Sequence, residues 1–214
     1  MKNIELMIFD LDGTLVDSKL DLANAVNYAL KTLKLPVLKN EVIYGFIGDG
    51  IWRLVERALG ENHAGKTETG VELFRKYYKK HCVDNTCLYP KVKEMLLHFK
   101  NKKKAVVTNK SEIFTRDILQ GLKIAGYFDI VYGGDTFEHR KPHPLPLKKV
   151  MSKLKIKPAQ AIMIGDGLND VLAAKAAKVT SCAVGYGLED KKKLLKENPD
   201  YFIKNLSQLK KIVN

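Results

Sequence analysis

The chain has 214 residues, 45% of them hydrophobic and 29% charged, enough to bury one substantial core, or one core with a small accessory domain. It has no run of about 18 apolar residues to span a bilayer, and its N-terminus enters a strand without the charged and apolar regions of a secretory leader, so a soluble, cytoplasmic protein with no membrane partner is expected. The net charge of +13 invites a nucleic-acid reading, but 32 of the 37 cations are Lys, only 5 are Arg, and they are scattered; that suits solvation and attraction of small anions better than base reading, and no nucleic-acid partner is expected.

The first predicted element is a buried strand over Leu6–Phe9, running into Asp10, Asp12 and a glycine turn. From about Ser18 to Leu88 no strand pattern appears, and helical periodicity recurs at Leu20–Leu33, Glu41–Tyr44, Ile51–Leu59 and Thr69–His81. That is too much helix for one crossover connection, and it reads as an inserted helical cap with hinges near Leu15–Lys19 and Asn85–Pro90. Cys82, Cys87 and the later Cys182 are odd in number and lack a CxxC pattern, so they are expected to be reduced and structural.

Beyond the insertion, strands and helices alternate. Strands are predicted at Ala105–Val107, Ile130–Tyr132 and Ala161–Ile164, with a further one suggested at Ser181–Val184. Helices are predicted at Val92–Phe99, Ile113–Leu122, Pro144–Lys153 and Asp170–Ala177. Short apolar runs that end in polar or glycine residues are the mark of buried parallel strands leading into functional loops. The expected fold is therefore an α/β, doubly wound, Rossmann-like parallel sheet over residues 1–16 and 87–214, with a small all-helical cap over 17–86 and ligands at the carboxyl ends of the strands.

Four strand ends carry chemistry. Asp10 and Asp12 lie two positions apart on an extended chain, so their carboxylates face the same way and repel unless a proton or cation sits between them. Helix capping accounts for Asp17 and Ser18, but a lone cap does not need two like-facing acids. Thr108-Asn109-Lys110-Ser111 ends a strand where Ser111 could cap the next helix, and the free amides there could hold an anion. In Arg140-Lys141-Pro142-His143-Pro144 the prolines fix the backbone around Lys141, which in isolation could equally be solvated. Gly165-Asp166-Gly167-Leu168-Asn169-Asp170 sets an acid at a strand end and a second at the start of a helix. Hard oxygen donors around a small site suit Mg²⁺, which also bridges to phosphate.

In this order, DxDGT, TN, KP and GDxxxD resemble the motifs of the haloacid dehalogenase superfamily over essentially the whole chain. The resemblance implies that Asp10 is a nucleophile forming an aspartyl-phosphate, and that Asp12 is the general acid and then the base. It implies that Thr108 and the amide of Asn109 hold the phosphoryl oxygens and that Lys141 neutralises Asp10 and the phosphate. Asp10, Asp12 through its carbonyl, Asp166 and Asp170 would serve a Mg²⁺ cofactor, Asp170 as ligand or as orienter. The loop Gly45-Phe46-Ile47-Gly48-Asp49-Gly50 before a helix is similar to the cap loop of phosphoglycolate phosphatases within that superfamily. Gly48 and Gly50 would let backbone approach the substrate and Arg53 would contact its anionic group, although glycines here also serve as an ordinary helix connection. The implied activity is hydrolysis of a small phosphorylated metabolite, 2-phosphoglycolate first, by a monomer or homodimer. A β-phosphoglucomutase, a pyrophosphatase, a nucleotidase and, from another class, a phosphoaspartate receiver are the alternatives.

Overall fold

The computed structural model describes residues 2–214. In chain order its elements are β1 (Leu6–Phe9), β2 (Val16–Asp17), α1 (Lys19–Thr32), α2 (Asn40–Tyr44), α3 (Ile51–Leu59), α4 (Thr67–His81), β3 (Cys87–Leu88), α5 (Val92–His98), β4 (Lys103–Val107), α6 (Glu112–Gly121), β5 (Ile130–Tyr132), α7 (Leu145–Leu154), β6 (Ala161–Gly165), α8 (Leu168–Ala177), β7 (Thr180–Val184), α9 (Lys191–Lys196) and β8 (Tyr201–Ile203). Six strands form one sheet in the order β5-β4-β1-β6-β7-β8, and every neighbouring pair is parallel.

Alternation along each strand divides the core into two layers. Met7 and Phe9 join Val106, Ile162 and Ile164 on one face, under Met95 and Leu96 of α5 and Phe114 and Ile118 of α6. Leu6 and Ile8 join Ala105, Val107, Ala161 and Met163 on the other, under Leu147 and Val150 of α7 and Ala173 and Ala174 of α8. With helices on both faces, nearly every strand position is buried, which is why these runs read as continuously apolar. The chain leaves β1 toward β4 and leaves β6 toward β7, so the loops after these adjacent strands diverge. A crevice opens between them, at the point where parallel sheets bind ligands.

Helices α1 to α4 make the inserted layer, with Leu22, Val26 and Ala29 of α1 packed with Phe74 and Tyr78 of α4. The expected hinges are more regular than the sequence suggests. β2 and β3 form a two-residue antiparallel ribbon, pairing Val16 with Leu88 and Asp17 with Cys87, and Tyr89 N donates to Leu15 O at 3.0 Å. Beside the ribbon, Asp21 of α1 is 1% exposed. Its carboxylate accepts from Asn85 N, Asn85 Nδ2, Thr86 N and Thr86 Oγ1 at 2.7–3.1 Å.

That carboxylate ties the returning linker to the helix that follows the outgoing one. Asp21→Ala would leave buried amide and hydroxyl donors without an acceptor, and the expected loss is about 2–4 kcal/mol of stability, read from urea unfolding. A loss below about 1 kcal/mol would mean that water replaces the carboxylate and that it does not hold the hinge.

Candidate active site

The site forms where β1 and β6 end side by side. Asp10 N donates to Ile164 O at 2.9 Å, carrying the sheet one residue past β1, so the Asp10 side chain emerges at the crevice. The chain then closes a tight turn, with Leu15 N donating to Leu11 O at 2.9 Å and Gly13 N to Val16 O at 2.9 Å. Gly13 has φ +79, and a Cβ there would come within 2.1 Å of Asp166 Oδ2. Only glycine both takes that backbone shape and lets the turn close against the second acid. Gly165 plays the matching part on β6, where a Cβ would lie 2.1 Å from Asp170 Oδ2.

Carboxylate oxygens of Asp10, Asp166 and Asp170 lie within 4.8 Å of one another. Asp166 is buried; its Oδ1 accepts from Thr14 Oγ1 at 3.0 Å and its Oδ2 from Leu188 N at 2.7 Å. Asp170, in the first turn of α8, accepts from Gly167 N at 3.0 Å and from Lys141 Nζ at 2.5 Å. The Lys141 ammonium also stands 3.0 Å from Asp10 Oδ1. Lys141 is 2% exposed, so the solvated alternative is excluded. Burial alone would depress this ammonium, yet Asp10 and Asp170 beside it hold its pKa above the ordinary lysine value. Burial first, then the charges of Asp10 and Asp170, push Asp166 up to about 8. Burial and Asp10 likewise push Asp170 upward in spite of Lys141.

Asp12 stands apart from this cluster. Its Oδ1 accepts from Ser18 Oγ at 2.5 Å, and Lys110 Nζ reaches its two oxygens at 3.3 and 3.1 Å. The converging carboxylates are those of Asp10, Asp166 and Asp170, and Ser18, at the N-terminus of α1, orients Asp12 instead of capping its helix. Ser111 likewise does not cap α6. Its Oγ donates to Asp135 Oδ2 at 2.6 Å, and Asp135 Oδ1 accepts from Glu112 N at 2.7 Å. Thr108 is buried at the cavity wall and Asn109 beside it. Asn109 Nδ2 donates to Lys141 O at 3.0 Å and to Gly48 O at 3.2 Å, bridging both the lysine loop and the inserted layer.

A cavity of about 410 Å³ joins these groups to the loop ahead of α3, with Gly48, Gly50, Ile51 and Leu54 among its walls. Gly48 (φ +126) and Gly50 (φ +82) give that loop its shape. Asp49 between them accepts from Asn169 Nδ2 at 2.9 Å and from Arg57 at 2.5 Å. Arg53 is not brought into the cavity. It points outward, paired with Glu56 at 2.6 Å, because its place one turn into α3 lies on the exposed face. Two other guanidinium groups stand at this loop: Arg57, which donates to Phe46 O and Asp49, and Arg140, 3.1 Å from where a Gly50 Cβ would sit. Lys110, Asp49 and Asn169 are given no role by the sequence, and Ser18 is read there only as a helix cap. Lys110 and Asn169 do lie inside the Thr-Asn and Gly-Asp motifs, which was the available signal.

Residues 7–184 match the family described as haloacid dehalogenase-like hydrolase. The chain belongs to that family. It is similar to the phosphoglycolate phosphatases of Colwellia psychrerythraea, 41% identical over 86% of this chain and 85% of the relative, and of Chromobacterium violaceum, 42% identical over 89% of each. Among solved structures it resembles a predicted phosphoglycolate phosphatase from Haemophilus somnus, with a TM-score of 0.90 and 32% identity over 99% of both chains. It also resembles a haloacid dehalogenase-like family hydrolase from Streptococcus pneumoniae, with a TM-score of 0.89 and 28% identity over 99% of both. No helix among the described residues is long and apolar enough to cross a membrane.

Only hard oxygen donors converge in the cluster, and its buried acids need a countercharge, so the residues present fit a divalent cation such as Mg²⁺. Without one, a proton substitutes. The folded pKa of Asp166, about 8, stands above its ordinary 3.8, so the folded chain binds this proton more tightly than the unfolded chain does. Its contribution to stability is full at low pH and is lost as pH rises through about 8. In chelator the melting temperature should therefore fall between about pH 5 and about pH 8, Asp166→Asn should flatten that fall, and excess Mg²⁺ should remove it. A fall equally steep with Mg²⁺ present would count against cation binding at this cluster.

Proposed function

We propose that this chain is a Mg²⁺-dependent phosphomonoester hydrolase that works through an aspartyl-phosphate on Asp10, with 2-phosphoglycolate as its first-choice substrate. The observation that carries the reading is the separation of two kinds of acid at one strand end. Asp10 lies against Lys141 and the Asp166–Asp170 cluster, whereas Asp12 is drawn aside by Lys110 and Ser18. A nucleophile must be ionised and close to the cation, while an acid–base group must be free of it. The names of the curated relatives support phosphoglycolate as the substrate.

On this reading Asp10 attacks phosphorus while Lys141 balances charge on its carboxylate and on the phosphoryl oxygens. Thr108 Oγ1 and the amide of Asn109 hold those oxygens in line. Asp12 protonates the leaving alcohol, then takes a proton from the water that hydrolyses the phosphoenzyme. Asp10, the carbonyl of Asp12 and Asp166 would hold Mg²⁺, with Asp170 serving Lys141 and the cation together. When bound, the cation supplies charge neutralisation for the phosphoryl group. Residues 17–86 act as the cap, whose loop at Gly48–Gly50 faces the part of the substrate beyond the phosphate. A cavity of about 410 Å³ suits a small metabolite. A cytoplasmic monomer or homodimer completes the proposal.

Asp10→Asn should lower p-nitrophenyl phosphate hydrolysis by at least about a thousandfold, and EDTA should silence the enzyme until Mg²⁺ is restored. Phosphate release screened over phosphoglycolate, sugar phosphates, pyrophosphate and nucleotides should give phosphoglycolate the highest kcat/KM. A higher value for a sugar phosphate, pyrophosphate or nucleotide would move the assignment to that substrate and leave the phosphatase chemistry standing.

A further inference from the structure

Lys110 lines the cavity, and the mechanism above gives it no task of its own. Its side chain is 3% exposed, so its ammonium has left water, and such a group needs partners on every side. One side is Asp12, at 3.1 and 3.3 Å. Another is the ring of Tyr78, whose centroid lies 4.7 Å from Nζ. Tyr78 belongs to α4, in the inserted helical layer, whereas Lys110 belongs to the loop after β4 and Asp12 to the turn after β1. Three separate segments therefore meet at one ammonium.

The Tyr78 ring is held in place, stacked on Phe74 at 5.2 Å and edged by Phe114 at 5.2 Å. Its hydroxyl is buried and has no hydrogen-bond partner. What the tyrosine contributes here is the face of its ring, which attracts a desolvated cation. Ser18 Oγ, at 2.5 Å from Asp12 Oδ1, fixes the carboxylate from the side of α1.

We propose that Lys110, seated on the Tyr78 ring of the helical layer, is a positioning residue that keeps the Asp12 carboxylate aimed at the leaving oxygen. The assignment rests on the acid–base reading of Asp12 given above. A carboxylate two residues from Asp10 would otherwise be drawn toward the cation that Asp10 and Asp166 would hold, where it could neither give nor take the proton. Lys110 itself exchanges no proton. The Asp12 O–H gives its proton to the alkoxide oxygen as the P–O bond breaks, and the carboxylate later takes one from the attacking water. Because one contact of Lys110 is on α4, the acid is correctly set only when that helix lies over the core.

The test compares two substrates whose leaving groups differ in their need for a proton. For Lys110→Met, kcat on 2-phosphoglycolate should fall about a hundredfold with KM within about threefold of wild type, the scale expected when a proton donor is misplaced. Dinitrophenolate leaves unprotonated. With dinitrophenyl phosphate the same variant should therefore keep its first turnover and show a burst of one dinitrophenolate per enzyme, followed by a slow steady state. Tyr78→Leu should repeat the pattern at about a tenfold loss, and Tyr78→Phe, which keeps the ring, should restore turnover. Loss of the burst in step with the phosphoglycolate rate, or undiminished phosphoglycolate turnover in both Lys110→Met and Tyr78→Leu, would overturn the assignment. Should Lys110→Met not melt cooperatively, Lys110→Gln and Tyr78→Leu carry the same comparison. Asp12→Asn is the separate control: wild-type turnover of phosphoglycolate in that variant would defeat the acid–base reading itself, whatever Lys110 does.

Discussion

The structure is organised around a charge deficit at the carboxyl ends of β1 and β6. Asp10, Asp166 and Asp170 bring three negative charges together within 4.8 Å, and Lys141 returns one positive charge. Each carboxylate pair at that spacing repels by roughly 3–4 kcal/mol at an effective dielectric near 20, and the turns that press Gly13 and Gly165 against the acids leave them no room to separate. Two negative charges remain uncompensated. A divalent cation would close that gap, and without one the burial and crowding that push Asp166 upward favour a proton there. The turn after β1, the placement of Lys141 and the packing of Leu188 N against Asp166 all follow from keeping this cluster tight.

Asp12 solves the opposite problem. It lies two residues from the most crowded acid, and its own cation and a serine hydroxyl hold it out of the cluster. The ion pairs are thus divided, with Lys141 serving Asp10 and Asp170 and Lys110 serving Asp12 alone. On the proposed reading, a single lysine shared among four acids could not keep Asp10 ionised for attack and Asp12 available for proton exchange. Burial makes each assignment firm, because neither ammonium has water as an alternative partner.

The parts of this arrangement that were legible in the sequence are those fixed by short contiguous motifs. Strands such as Leu6–Phe9 and Ala161–Gly165 announce themselves because burial on both faces makes them uniformly apolar, and the acids announce themselves by following directly. β8 and α9 gave little sign: Tyr201–Ile203 is a three-residue edge strand, and α9 is mostly lysine, so neither carries a periodic apolar pattern. The β2–β3 ribbon was hidden for another reason. Two residues on each side are too few for alternation, and their pairing depends on closure of a loop of about seventy residues. Arg53 was misplaced because its spacing from Gly50 gives its turn of α3 but not which face that turn presents, and the buried face belongs to Ile51, Leu54 and Val55.

Lys110 shows the deeper limit. It stands next to Asn109 in plain sight, yet a lysine in a chain with 32 of them is unremarked until three segments, from β1, β4 and α4, are seen to converge on it. The same loops that carry the core motifs also reach the inserted layer. Asn109 meets Gly48 O, Asn169 meets Asp49, and Lys110 meets Tyr78. Each contact starts from a residue adjacent to, or within, a motif that handles the phosphoryl group on the proposed reading. Seating the helical layer and completing the catalytic geometry are then one event, since the contacts that hold the layer down also fix the side chains beneath it. On the proposed reading, that coupling would let a layer with no reacting group of its own govern which molecules are hydrolysed: a substrate whose tail kept α3 and α4 from seating would leave Asn109 and Lys110 without their partners, and the proposed acid at Asp12 without its aim.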